Sequence, residues 1–245
     1  MSGATIARRV VLRLDPRPAR DGASVVAATR FARAFHAELA ARLVSDTRFA
    51  AALTAPAGSA KPRGGDSFSP AVLVRRSETI YRRAISAIAE REQTAWSFSV
   101  VECDGVLSDC GAIQSDDLVA LDLEPLEGAA GALRREVHSA LSFARGVLLF
   151  PSEAPPHAGP VVVVTKNNGR NLTDLAKRIA AALDEPLLPL QPSDRMRGVA
   201  EVAAAIRQRT PGLAVIDASD PLAQEFVTRP RFLRELNAPL LLLKI

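Results

Sequence analysis

The segment Arg9-Val-Val-Leu-Arg-Leu-Asp15 and the run from Ser24 to Leu39 that follows it decide the fold of this chain. The first is an aliphatic run of strand length ending on a carboxylate. Pro16 and Pro18 stop it, and Asp21-Gly22 turns the chain. Ser24 is placed to cap a helix. In that helix Val25, Ala28, Ala32, Phe35 and Leu39 fall on one face, with Arg30, Arg33 and Glu38 away from it. Leu43 to Asp46 reads as the next strand. Strand, amphipathic helix, strand is the unit from which parallel sheets are built.

The pattern continues outward from there. Residues 56–70 form a loop rich in Gly, Pro and Ser, with Lys61 and Arg63 inside it. A helix over 77–92, with Ile80, Ala84 and Ile88 inward, leads to a strand over 96–101. Residues 103–115 connect to a strand over 118–123, a helix over 133–144 and a strand over 146–150. Three prolines stiffen a linker over 151–159. Four valines, Val161 to Val164, restart the series. Asn171 caps a helix with Leu172, Leu175, Ile179 and Leu183 inward. Leu187 to Leu190, interrupted by Pro189, reads as an edge strand. A helix over 198–209, a strand over 213–216, a short helix over 231–236 and a strand over 239–243 complete the chain. The expected fold class is α/β: two similar units with mainly parallel sheets flanked by helices. They occupy residues 1–150 and 160–245, the second shorter by one helix–strand pair.

Composition narrows the functions. Across 245 residues, 48% are hydrophobic and only 4% aromatic, which suits an aliphatic core and gives no stacking surface for bases. The net charge of +4 is spread without a run of like charge, so nucleic acid is not expected as a partner. Cys103 and Cys110 are too few for a zinc framework and read as reduced thiols, with a redox pair as the alternative. No stretch has the length of a membrane span, so a cytoplasmic protein is expected. His36, His138 and His157 stand apart, with no nucleophile elbow or metal spacing around them. Asp116-Asp117, at a strand start, reads as solvent-facing and capping carboxylates.

The rhythm of Ala28 to Leu39 followed by Ala41 to Phe49, the opening Asp116-Asp117-Leu-Val-Ala120, and the closing units 141–150 and 232–243 resemble universal stress proteins. The resemblance covers most of residues 8–150 and, more loosely, 160–245. It implies an open five-stranded parallel sheet per unit, of the adenine-nucleotide α-hydrolase-like kind, with units paired through their last strands. A tandem chain would then make its own pseudo-dimer by intrachain pairing; a homodimer of chains is the further option. Residues 146–150 and 239–243 are apolar edges that need cover.

The resemblance also carries a nucleotide site. ATP-binding members hold phosphates with a Gly-x2-Gly-x9-Gly-Ser/Thr loop, and an Asp ending the first strand contacts the base side. Asp15 matches that Asp, and Gly128 and Gly131 match the first two glycines. Leu141-Ser142 stands where Gly-Ser/Thr is wanted, inside the expected helix, so the phosphate cradle is degenerate. The space beside Asp15 and Gly128 is expected to be partly filled. In the second unit Lys166 and Asn168 are the candidates, as anion ligands at a strand end or simply as a polar turn. The expectation is a non-catalytic stress-response or regulatory binding module with no cofactor. The alternative is an ATP- or AMP-binding member with at most slow hydrolysis.

Overall fold

The computed structural model describes residues 6–16, 22–46, 70–103, 113–123, 130–151, 158–165, 169–192 and 198–245. The first half contributes β1 (Arg9–Leu14), α1 (Ala23–Ala34), β2 (Glu38–Asp46), α2 (Pro70–Arg91), β3 (Trp96–Cys103), β4 (Leu118–Asp122), α3 (Ala130–Phe143) and β5 (Gly146–Phe150). The second half contributes β6 (Val161–Val164), α4 (Arg170–Leu183), β7 (Leu187–Leu190), α5 (Val199–Arg207), β8 (Leu213–Asp217), α6 (Pro221–Thr228), α7 (Arg231–Leu236) and β9 (Leu240–Leu243).

The strands form one nine-stranded sheet in the order β3-β2-β1-β4-β5-β9-β8-β6-β7. Every neighbouring pair is parallel except β5 with β9. There Gly146 lies opposite Leu243, Val147 opposite Leu242, Leu148 opposite Leu241 and Leu149 opposite Leu240. Both strands are buried throughout. Each half therefore ends on an apolar strand that would be an exposed edge alone, and each covers the other. Gly146 is required at this joint: a Cβ there would sit 2.5 Å from the carbonyl oxygen of Leu242. β7, carrying Pro189, lies at the sheet's end, where a missing backbone donor costs least.

Alternation along the strands divides the core into two layers. One layer joins Val10, Leu12, Leu39, Leu118, Leu148, Val163, Val215 and Leu241 with buried residues of α1, α2 and α4. The other joins Val11, Val119, Leu149, Val162, Ile216 and Leu242 with those of α3, α5, α6 and α7. Both layers run across the β5–β9 joint. Each fully buried aliphatic side chain contributes about 1.5–3 kcal/mol, so the joint is held by the shared core as well as by its ladder.

Several expected elements shift. The first helix ends before Leu39: His36 takes a left-handed conformation at φ 52. The amides of His36 and Ala37 bond back to Arg33 and Ala32, closing the helix. Leu39 is then a fully buried strand residue. At the other end the cap position is Gly22, in a left-handed conformation, and Ser24 is inside the helix. Likewise Asn171 lies inside α4, whose cap position is Gly169.

In α2 the buried stripe is Ser77, Tyr81, Ile85 and Ala89, and Ile80 is exposed. Tyr81 with Ile85 buries more apolar surface than the expected Ile80 with Ala84, and the Ser77 hydroxyl is satisfied by the carbonyl of Pro16. Helix α6 is an addition. Its signal is Asp220-Pro221: the Asp220 carboxylate accepts from the amide of Leu222 at 2.8 Å, and proline stands at the first helical position.

Candidate functional site

Parallel sheets present ligands at strand carboxyl ends, where successive crossovers diverge. In the first half that switch lies between β1 and β4, which are hydrogen-bonded neighbours. Asp15 follows β1 and is half-buried. Next to it Pro16 is buried and its carbonyl accepts from Ser77 of α2. That contact ties α2 to the residue that follows Asp15. Across the switch, α3 begins at Ala130, so Gly131 is the second residue of the helix and belongs to no loop. A Cβ at Gly131 would meet only the end of the Arg135 side chain, at 3.6 Å. Among the described residues, no close backbone approach therefore demands glycine there. Leu141 and Ser142 lie inside α3, and the Ser142 hydroxyl donates to the carbonyl of His138 at 2.9 Å. Gly128, Lys166 and Asn168 lie outside the described residues, as do Cys110 and His157.

In the second half the carboxyl end of β8 is occupied by turn and cap interactions. Asp217, closing β8, accepts from the amide of Ser219 at 2.8 Å and from its hydroxyl at 2.7 Å. Asp220 caps α6. These carboxylates stabilise the chain reversal and the helix start. Among the described residues, no group of three His, Cys, Asp or Glu is placed to hold a metal ion.

The main electrostatic feature lies on the sheet's face. Asp117, expected at the surface, is fully buried. Its carboxylate takes the Arg9 guanidinium through Nε at 2.9 Å and Nη2 at 2.5 Å, and accepts the amide of Gln114 at 2.7 Å. The Asp117 carbonyl also receives the amide of Arg145 at 2.9 Å. The burial of Asp117 has a geometric cause. Position 117 shares the two-residue period of Val119 and Leu121, which belong to the core layer on the α3 side, so its side chain is directed to that same face of the sheet. Burial there requires a counter-charge, which Arg9 supplies from the adjacent strand. Asp116 alone keeps the solvent-facing position.

Four residues along β1, Arg13 meets Glu136 of α3, with Nε and Oε1 2.9 Å apart but not aligned as a hydrogen bond. Arg42 of β2, opposite Arg13 in the register, is half-buried, and one guanidinium nitrogen donates to the carbonyl of Ala41 at 3.2 Å. The hydrogen bond that Arg9 donates to Asp117 raises the pKa of Arg9, whereas burial, aided by repulsion from Arg9, lowers that of Arg42. The sequence carried a trace of this ladder. Arg9 and Arg13, like Glu38 and Arg42, stand four apart on strands and so share a face. The acids that answer the arginines of β1 come from distant segments.

A groove of about 1210 Å³ lies at the amino ends of β1–β3, beneath the carboxyl ends of α1, α2 and α4. Its cations include Arg30, Arg33 and Arg178, and its acids Glu38 and Glu92. Arg33 binds Glu92 at 2.7 Å and holds that carboxyl below its usual range. The groove is at the opposite end of these strands from the switch. Its cations face helix carboxyl termini, where positive side chains offset the helix dipole.

The geometry thus defines an α/β protein with a nine-stranded, mostly parallel sheet flanked by helices. No described helix is long and apolar enough to cross a membrane. No protein-family model matches the chain, and no curated protein sequence matches it.

Proposed function

We propose that this chain is a tandem, universal-stress-protein-like module that acts by binding, without catalysis, in a stress-response or regulatory role. The observation that carries the reading is the antiparallel pairing of β5 with β9, which sets two parallel half-sheets back to back through their last strands. The strand orders support it. β1 lies between β2 and β4, and β6 lies between β7 and β8. The second half thus repeats the first without a counterpart of β3. The degenerate nucleotide site is supported by Gly131 and Leu141-Ser142, all of which are helical.

The test is thermal unfolding across a concentration series of ATP and of AMP, on the parent and on Asp15→Ala. A ligand that binds only the folded state raises the midpoint with concentration. The expected result is no such rise. A rise with ATP or AMP that Asp15→Ala abolishes would replace this reading with a nucleotide-binding one.

A further inference from the structure

Helix α2 turns one face to its core layer and, among the described residues, leaves the other exposed. Its buried side runs through Ser77, Tyr81, Ile85 and Ala89. The opposite side exposes Val72 at 55% and Ile80 at 42%, two of the few large aliphatics so exposed among the described residues. Arg75, Arg76 and Arg83 stand exposed around them. At 100° per residue, Val72, Arg76, Ile80, Arg83 and Ala87 make one stripe along the helix. Arg82 is engaged by Glu78 at 2.9 Å and lies over the Phe98 ring. Arg75, Arg76 and Arg83 have no acidic partner among the described residues. A shallow hollow of about 430 Å³ continues this face toward β3, lined by Arg82, Arg83, Ser86, Ala87, Glu90 and Trp96.

The geometry points to this face as the docking surface for an acidic amphipathic helix of another protein, whose carboxylates meet Arg75, Arg76 and Arg83 while its aliphatic stripe covers Val72, Ile80 and the hollow beside Trp96. Charge complementarity selects that occupant. A second copy docking the same face would set arginines against arginines. A nucleic acid would answer the arginines but leave Val72 and Ile80 without a partner, and Tyr81, the aromatic of this helix, is turned inward. Arginine and aliphatic side chains around a pocket with an aromatic floor are the composition of a protein-binding patch. The inference rests on α2 and β3 alone and is independent of the nucleotide question.

The test is fluorescence anisotropy on the full chain. The probes are labelled synthetic helical peptides of about 20 residues, with a leucine stripe flanked by glutamates. Peptides of the same composition in scrambled order, phosphatidylserine vesicles and a single-stranded RNA serve as comparisons. The expected result is binding of striped peptides tighter than about 1 mM. Arg76→Glu/Arg83→Glu and, separately, Ile80→Ser should each weaken it by about 10-fold or more. All three positions are exposed, so the thermal midpoints of these variants should match the parent's, which separates lost docking from lost folding. The proposal is overturned if no striped peptide binds, if scrambled peptides bind equally, if the variants bind like the parent, or if vesicles or RNA bind more tightly than every striped peptide.

Discussion

Replacing Asp117 with alanine should be among the most damaging single changes in the first half. The carboxylate is fully buried, faces Arg9 at 2.9 and 2.5 Å, and accepts the Gln114 amide at 2.7 Å. Unit charges about 4 Å apart attract by about 4 kcal/mol at an effective dielectric constant near 20. Removing one partner also strands the other, because the Arg9 side chain is only 16% exposed. Breaking a buried pair in this way costs about 3–5 kcal/mol. Against a total stability of about 5–15 kcal/mol, that is a large share. Asp117→Asn keeps the shape and one acceptor oxygen but loses the charge, at a cost of about 1.5–3 kcal/mol. The pair replaced as a unit, Arg9→Met with Asp117→Leu, should lose far less than Asp117→Ala, because no uncompensated charge remains. Urea unfolding followed by circular dichroism measures each difference, with an unchanged slope as the check that the same transition is compared. A cost for Asp117→Ala below about 1 kcal/mol would refute the reasoning, and so would a double variant as unstable as the single one.

At the joint, Gly146→Ala brings a Cβ to 2.5 Å from the Leu242 carbonyl oxygen and should cost about 1–3 kcal/mol through displacement of β9; hydrogen exchange at residues 240–243 should accelerate with it. Asp220→Ala removes the cap of α6 and should destabilise by about 1 kcal/mol in the same urea assay. Glu92 gives the pH dependence. Arg33 lowers its pKa in the folded state from the ordinary 4.5, so the unfolded chain binds its proton first as pH falls. The stabilisation is present above pH 4.5 and is lost as pH falls through the lowered value. Thermal unfolding from neutral to acid pH should show this loss in the parent and a smaller one in Arg33→Ala.

How much was legible in the sequence depended on how local each signal was. Gly146–Phe150, Val161–Val164 and Arg231–Leu236 fall where their residues alone place them, and β7 lies at the edge that Pro189 suggested. The failures sit where two local answers compete. Leu39 fits the spacing of a helix face but lies in a strand, because His36 closes the helix before it. Ile80 and Ile85 could each have been the inner isoleucine of α2, and packing chose the face that also buries Tyr81. Of the candidate site, Asp15 was placed at the end of β1, as read. Gly131, read as a match to the second glycine of a phosphate-holding loop, is helical, since an Ala-rich run extends a helix readily past one glycine.

By itself the sequence determined the alternation of strands and helices and the aliphatic character of both core layers. Those follow from composition and spacing, because a strand buried on both faces must be apolar along its length and a covering helix must be apolar along one stripe. Of the helix–strand pair expected to be missing from the second half, only the strand is fewer among the described residues, four against five, while the described helices number four against three. Only the tertiary structure decided that β5 and β9 pair antiparallel, that Asp117 is buried against Arg9, and that α2 leaves Val72, Ile80 and three arginines to solvent. Each of these joins residues far apart in the chain, and the free energy that selects them is released only when those distant surfaces meet.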